Sequence, residues 1–175
     1  MTFLISNSSI SVSGMARCAT LRQFAAIVVF LIVSVVGIHA QQPSAADMLN
    51  QVARLERLVA MQPDSILPRH QLALQRLNFA VLYPQAPQTE QMLTQAEETI
   101  AQLEKTHRAD PSDLCTLRGF LYMARIVQNP AQNGQRYYID VQQNFEKALK
   151  LNPDNHLAQQ LQQRFLEGMK QATGR

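Results

Sequence analysis

The sequence predicts an all-α fold of about six helices, arranged as consecutive antiparallel pairs. Two observations predict it. Apolar residues recur at i, i+3, i+4 spacing from Met48 to Met169, and no segment after residue 40 shows a convincing apolar/polar alternation. The second observation is a phrase written three times: LERLVAMQPDS from Leu55, LEKTHRADPSD from Leu103 and FEKALKLNPDN from Phe145. Each reads apolar, Glu, basic, four residues, an amide or acid, Pro, and two small polar positions. In each, one helix is expected to end and the next to begin. Pro fits the first helical turn, where its missing N–H costs nothing, and a short polar side chain caps the orphan donors. Pro63, Pro111 and Pro153 are 48 and 42 residues apart, with two helices between successive marks. A repeat of helix pairs is the signature of an α-solenoid.

The elements follow in order. Residues 1–40 read as a secretory signal peptide. Arg17 and Arg22 form a basic start, residues 24–38 an apolar core, and Ala40 a small residue before the polar Gln41-Gln42-Pro43. Met15 is a second candidate start. The apolar core is short of the ~20 residues that span a bilayer, and an uncleaved membrane anchor is the alternative. Cys18 precedes that core, whereas a lipoprotein cysteine would follow it, so no lipid anchor is expected. Cleavage after Ala40 leaves 135 residues, one domain's worth, and lowers the net charge from +3 to +1. A near-neutral chain lacks the basic footprint of a nucleic-acid binder. Cys115 is then the single thiol, so no internal disulfide forms, and it reads as a small buried side chain.

Residues 41–46 are expected as a linker, 47–171 as the helical domain and 172–175 as a tail. The helices are predicted at 46–61, 66–83, 89–107, 112–127, 137–151 and 155–171. Tyr83-Pro84 ends the second, because Pro removes a donor and restricts the residue before it. Thr89 is a candidate cap for the third. Asn129-Pro130, followed by Gly134, ends the fourth and makes residues 127–136 a loop. Asp154 or Asn155 caps the sixth. Val141, Phe145, Ala148 and Leu149 are the expected buried stripe of the fifth.

FEKALKLNPDN resembles the second helix and closing turn of a tetratricopeptide repeat. Phe145, Ala148 and Pro153 fall at the spacing of that family's aromatic, Ala and Pro positions. Leu117, Phe120, Leu121 and Ala124 match its first-helix positions in apolar character only, and the repeats exceed the family's ~34 residues. The resemblance implies a short right-handed solenoid. The layout, including ARIVQNPAQNGQRYY, also looks like small exported tetratricopeptide-like proteins of Bacteroidetes-type bacteria, which supports fold and address only.

No catalytic constellation is visible. His70, His107 and His156 lack partners at ligand spacing. There is no phosphate loop and no nucleophile elbow. Glu97, Glu98 and Glu104 read as a solvated face. No enzyme activity, metal or cofactor is expected. What remains is binding. Arg69 and Arg76 on the second helix, and Arg118 and Arg125 on the fourth, are each seven apart, about two turns, so each pair lies on one line. Arginines in a groove could grip a partner's carboxylates; the alternative is a solvated flank. Tyr137 and Tyr138, beside the 127–136 loop, are the second candidate contact, one ring in the core and one exposed. The expected function is a non-enzymatic, exported interaction module of the cell envelope, periplasmic or secreted, that binds a peptide or helix of a protein partner. The rival is a structural solenoid piece stacking end-on. A polar outer face on the last helix (Gln159, Gln160, Gln163, Lys170) would mark it as a cap.

Overall fold

The computed structural model describes residues 43–173, which are all-helical with no strand among them. The expected signal peptide, Met15, Cys18 and the last two residues of the expected tail lie outside the described residues. The helices are α1 (Ala45–Met61), α2 (Ile66–Leu82), α3 (Thr89–Lys105), α4 (Pro111–Gln128), α5 (Pro130–Leu151) and α6 (His156–Thr173).

Four of the six starts, those of α1, α4, α5 and α6, have a side-chain cap as their local cause. At α1 the Ser44 hydroxyl accepts from the Asp47 N–H at 3.1 Å and donates to the Asp47 carboxylate at 2.7 Å. This reciprocal cap begins the helix within the expected linker. At α4 the Asp110 carboxylate accepts from Ser112 and Asp113 N–H groups, with Pro111 in the first turn. At α6 the Asn155 side-chain carbonyl accepts from the Ala158 N–H at 3.1 Å; of the two candidate caps, it is Asn155.

The three prolines divide into two kinds. Pro111 sits in a helical first turn, as expected. Pro63 and Pro153 do not. They are second residues of four-residue turns closed by Ser65 N–H to Gln62 O and Asn155 N–H to Asn152 O, both 3.1 Å. A turn's second position suits the fixed φ of Pro equally well. α3 stops at Lys105 because His107 takes a left-handed φ of 53°.

Two further sequence expectations are corrected. Residues 127–136 are not a loop, since α5 starts at Pro130. Asn129 closes α4, its N–H donating to Arg125 O at 3.3 Å, and opens α5, its side chain accepting from the Gln132 N–H at 3.3 Å. Pro130 is a starter rather than a stop, and Gly134 lies in open space, so it breaks nothing. Thr89 does not cap α3 by accepting: its hydroxyl is buried and donates back to Tyr83 O at 2.5 Å, satisfying an end carbonyl of α2.

Each helix packs on the next, and α2, α4 and α6 also pack on one another in sequence. Among the described residues α4 touches every helix except α1. The main core gathers around it: Leu77 and Ala80 of α2, Leu93 and Ile100 of α3, Leu117 and Leu121 of α4, and Val141 and Phe145 of α5. Leu161 and Phe165 of α6 close it. A smaller cluster joins Met48 and Val52 of α1 to Leu72, Phe79 and Met92. Val141, Phe145 and Ala148 are fully buried, while Leu149 is half-buried.

Candidate functional site

No Cα of α1, α3 or α5 comes within 8 Å of a Cα of another of the three, although α2 packs on the first two and α4 on the second two. Two furrows result. The first, between α1 and α3, is a cleft of about 320 Å³. Arg69, Leu72 and Arg76 of α2 lie along it; Glu56, Val59 and Ala60 form one wall, and Gln95, Glu98 and Thr99 the other. The second, between α3 and α5, holds two hollows over α4. One, of about 500 Å³, is lined by Pro84, Pro87, Glu90, Arg125, Arg136 and Tyr137 among others. The other, of about 230 Å³, is lined by Glu104, Cys115, Arg118, Asn144 and Lys147.

The four candidate arginines sort into these furrows, and three of them are already ion-paired. Arg76 is 7% exposed. Its Nη1 donates to Thr99 Oγ1 at 2.9 Å and Gln95 O at 3.2 Å, and its Nη2 to Glu56 Oε1 at 2.7 Å. Arg118 grips Glu104 side-on, Nε and Nη2 each donating to one carboxylate oxygen at 2.5 Å. Arg125 spans Glu97, at 2.9 Å, and Glu90, at 3.4 Å. Arg69 donates to the Pro63 carbonyl and has no acidic partner among the described residues. Arg118 and Arg125 thus turn toward the helix preceding their own, while Arg76 bridges α1 and α3 from α2.

Electrostatics follow from that geometry. The Glu104 hydrogen bonds raise Arg118 above the usual arginine value despite burial. Burial alone would lower Arg125, but the Glu97 hydrogen bond and the Glu90 and Glu97 charges raise it. A hydrogen bond from the Gln128 amide, helped by Arg125, holds Glu90 below the ordinary carboxylate range.

Sequence reasoning saw the arginines and missed their partners. Glu90, Glu97 and Glu104 are themselves seven apart, so α3 carries an acidic ladder with the period of the Arg118–Arg125 ladder on α4. Two ladders of opposite sign on consecutive antiparallel helices were the available signal. Glu97 and Glu104, expected on a solvated face, are ion-pair partners, while Glu98 is exposed at the first furrow.

Tyr137 and Tyr138 separate. Tyr137 lines the second furrow and stacks on Tyr122, with ring centroids 5.3 Å apart, and the Arg136 guanidinium lies 4.9 Å from its ring centre. Tyr138 turns to Phe165 at 5.6 Å and joins the main core. The structure therefore collects Arg118, Arg125 and Tyr137 along one furrow and Arg69 and Arg76 along the other, and gives Tyr138 to packing.

Cys115 is half-buried, and burial pushes its thiol up. His107 and His156 are exposed and His70 is half-buried. Among the described residues, no group of three or more His, Cys, Asp or Glu side chains could hold a metal ion. No described helix is long and apolar enough to cross a membrane. Compared with family models, curated proteins and solved structures, the chain matches none.

Proposed function

We propose that this chain is an exported, non-enzymatic protein-interaction module of the bacterial cell envelope, built as a short right-handed tetratricopeptide-like solenoid. It takes a peptide or helix of a protein partner. The observation that carries this reading is the α3–α5 furrow. It lies between two helices held apart by a third, and its larger hollow offers Pro84, Pro87 and the Tyr137 ring beside Arg136. Arg136 has no carboxylate partner among the described residues. An aromatic surface with an unpaired cation suits an amphipathic segment of acidic character.

The packing of α2, α4 and α6 along one line, with α1, α3 and α5 outside, supports the solenoid. Export rests on the order of residues 17–40. The exposed residues of α6 support the interaction reading over end-on stacking: Gln159, Gln160, Gln163 and Lys170 are exposed and Leu166 is the exposed large apolar side chain among them, a mainly polar composition that suits a terminal cap.

Site-specific photo-crosslinking in envelope extract tests the proposal, with a solution mass measured alongside. A crosslinker at Gln132, beside the larger hollow, should give a discrete protein adduct that one at Gln160 does not. Arg136→Glu should remove that adduct without changing the helical content. Equal adducts at both positions, or only self-adducts with a mass that grows with concentration, would replace this reading with the stacking one.

A further inference from the structure

Arg76 and Arg118 offer the same chemical edge in two different states. The side-on edge of a guanidinium is its Nε–H together with the adjacent Nη2, and it matches the two oxygens of one carboxylate. In Arg118 both donors of that edge are taken by Glu104. In Arg76 only Nη2 is taken, by one oxygen of Glu56, and Nε is buried without a hydrogen-bond partner. The Arg76 side chain is 8% exposed and that of Glu56 44%. A nearly buried cation lining an open cleft thus has half of a half-solvated carboxylate as its acidic partner, while Thr99 Oγ1 and the Gln95 carbonyl hold its Nη1.

Two further atoms around the same cleft are unsatisfied. Arg69 Nε and Gln95 Oε1 are both buried without partners, and both residues line the 320 Å³ space. A buried donor or acceptor left unpaired bears the full penalty of its lost hydration. Here two donors and one acceptor surround one cavity, and one of the two cations, Arg69, lacks an acid.

From this the geometry points to a carboxylate-binding subsite between α1, α2 and α3, in which Glu56 is an internal placeholder. An incoming Asp or Glu side chain of an acidic peptide displaces Glu56 and takes the Nε–Nη2 edge of Arg76 side-on. Arg69 supplies the second positive charge, and Gln95 Oε1 accepts an N–H from the peptide. Glu56 swings to solvent, which is inexpensive because it is already half exposed. No bond is made or broken, so the exchange is reversible. This inference rests on the interaction-module reading and adds the chemistry of the partner segment.

The test is fluorescence anisotropy on the purified protein with labelled tetraglutamate, tetraglutamine as control, and glutarate and inorganic phosphate as competitors. Tetraglutamate should bind and tetraglutamine should not. Arg69→Ala should weaken binding about tenfold. The decisive variant is Glu56→Gln, because removing a placeholder should tighten tetraglutamate binding. A purely structural Glu56 would give the reverse, a less stable protein with unchanged or weaker binding, and that result overturns the proposal. Equal binding of tetraglutamine, or displacement by phosphate at the same concentration as by glutarate, overturns the carboxylate assignment. Thermal melts of each variant separate lost binding from lost folding. If the furrow crosslinks of the preceding section survive while Glu56→Gln has no effect on tetraglutamate, the module reading stands and this subsite falls.

Discussion

Gly119 of α4 lies against Phe145 of α5 so closely that a Cβ on residue 119 would stand 2.8 Å from the ring's Cε1 and 2.9 Å from Cδ1. Both residues are buried, Phe145 completely. The ring has nowhere to retreat, because close-packed interiors leave few voids. Gly119→Ala should therefore destabilise by about 1–3 kcal/mol through overpacking, although Ala is ordinarily the better helix former. Phe145→Ala should cost about 3–5 kcal/mol. The double variant should cost less than the sum, because the added methyl then enters the vacated space. Urea unfolding of all four proteins checks this, and strict additivity would contradict the close approach.

Asn155 joins α4 and α6 through one side chain, and Ser112 carries the network on to α5. The Asn155 amide donates to Ser112 Oγ at 2.9 Å, Asp113 Oδ1 at 3.1 Å and Thr116 Oγ1 at 3.2 Å, all on α4, while its carbonyl caps α6. Ser112 in turn donates to Ala148 O of α5 at 2.9 Å. Asn155→Ala removes a cap, worth ~1 kcal/mol, and strands buried partners, at about 1–3 kcal/mol. Asn155→Asp should keep the cap and lose the amide donations, so its loss should be comparable. If Asn155→Asp proves as stable as the parent, the cap alone matters.

The Glu90 carboxylate gives the α3–α4 contact a pH dependence. The Gln128 hydrogen bond and the Arg125 charge favour its ionised form in the folded state. A depressed folded value means the contribution is present above the unfolded pKa and lost as pH falls through the folded one. The stability gap between the parent and Glu90→Gln at pH 7 should shrink once pH passes below 4.5, the ordinary value. The gap should also narrow in high salt, since Glu90 is well exposed. A gap that widens toward pH 3 would show that Glu90 is not held in its charged form.

Cys115 should be a slow thiol. Burial raises it above 9.0, against the weaker pull of Lys147, and the thiolate is the reactive species. Iodoacetamide at pH 8 should modify the folded protein more slowly than the urea-unfolded chain. Modification at the unfolded rate would mean that the first two turns of α4 open readily.

The six helices were legible because their apolar stripes are long and each connection carries a proline or a capping residue. Five of the six starts fall within one residue of expectation. The start of α5 was hidden because Asn-Pro serves equally to close a helix and to open one, and only the tertiary contacts of Asn129 and Asn133 with the α4 terminus decide between them. The site was legible in half. Regular spacing revealed the arginines, but their direction depends on which helix lies beside them, and that is a long-range fact. Gly119 gave no local signal at all; its meaning is the ring of Phe145, brought there by the α4–α5 packing.

The central place of α4 has a consequence for how the chain is made. A ribosome releases α1, α2 and α3 first, yet Ala73, Leu77, Leu93 and Ile100 belong to a core that α4 must complete. Until residue 128 has emerged, these surfaces have no permanent cover, and exposed apolar surface of this kind invites aggregation. A nascent chain of this design therefore stays incompletely folded through most of its synthesis.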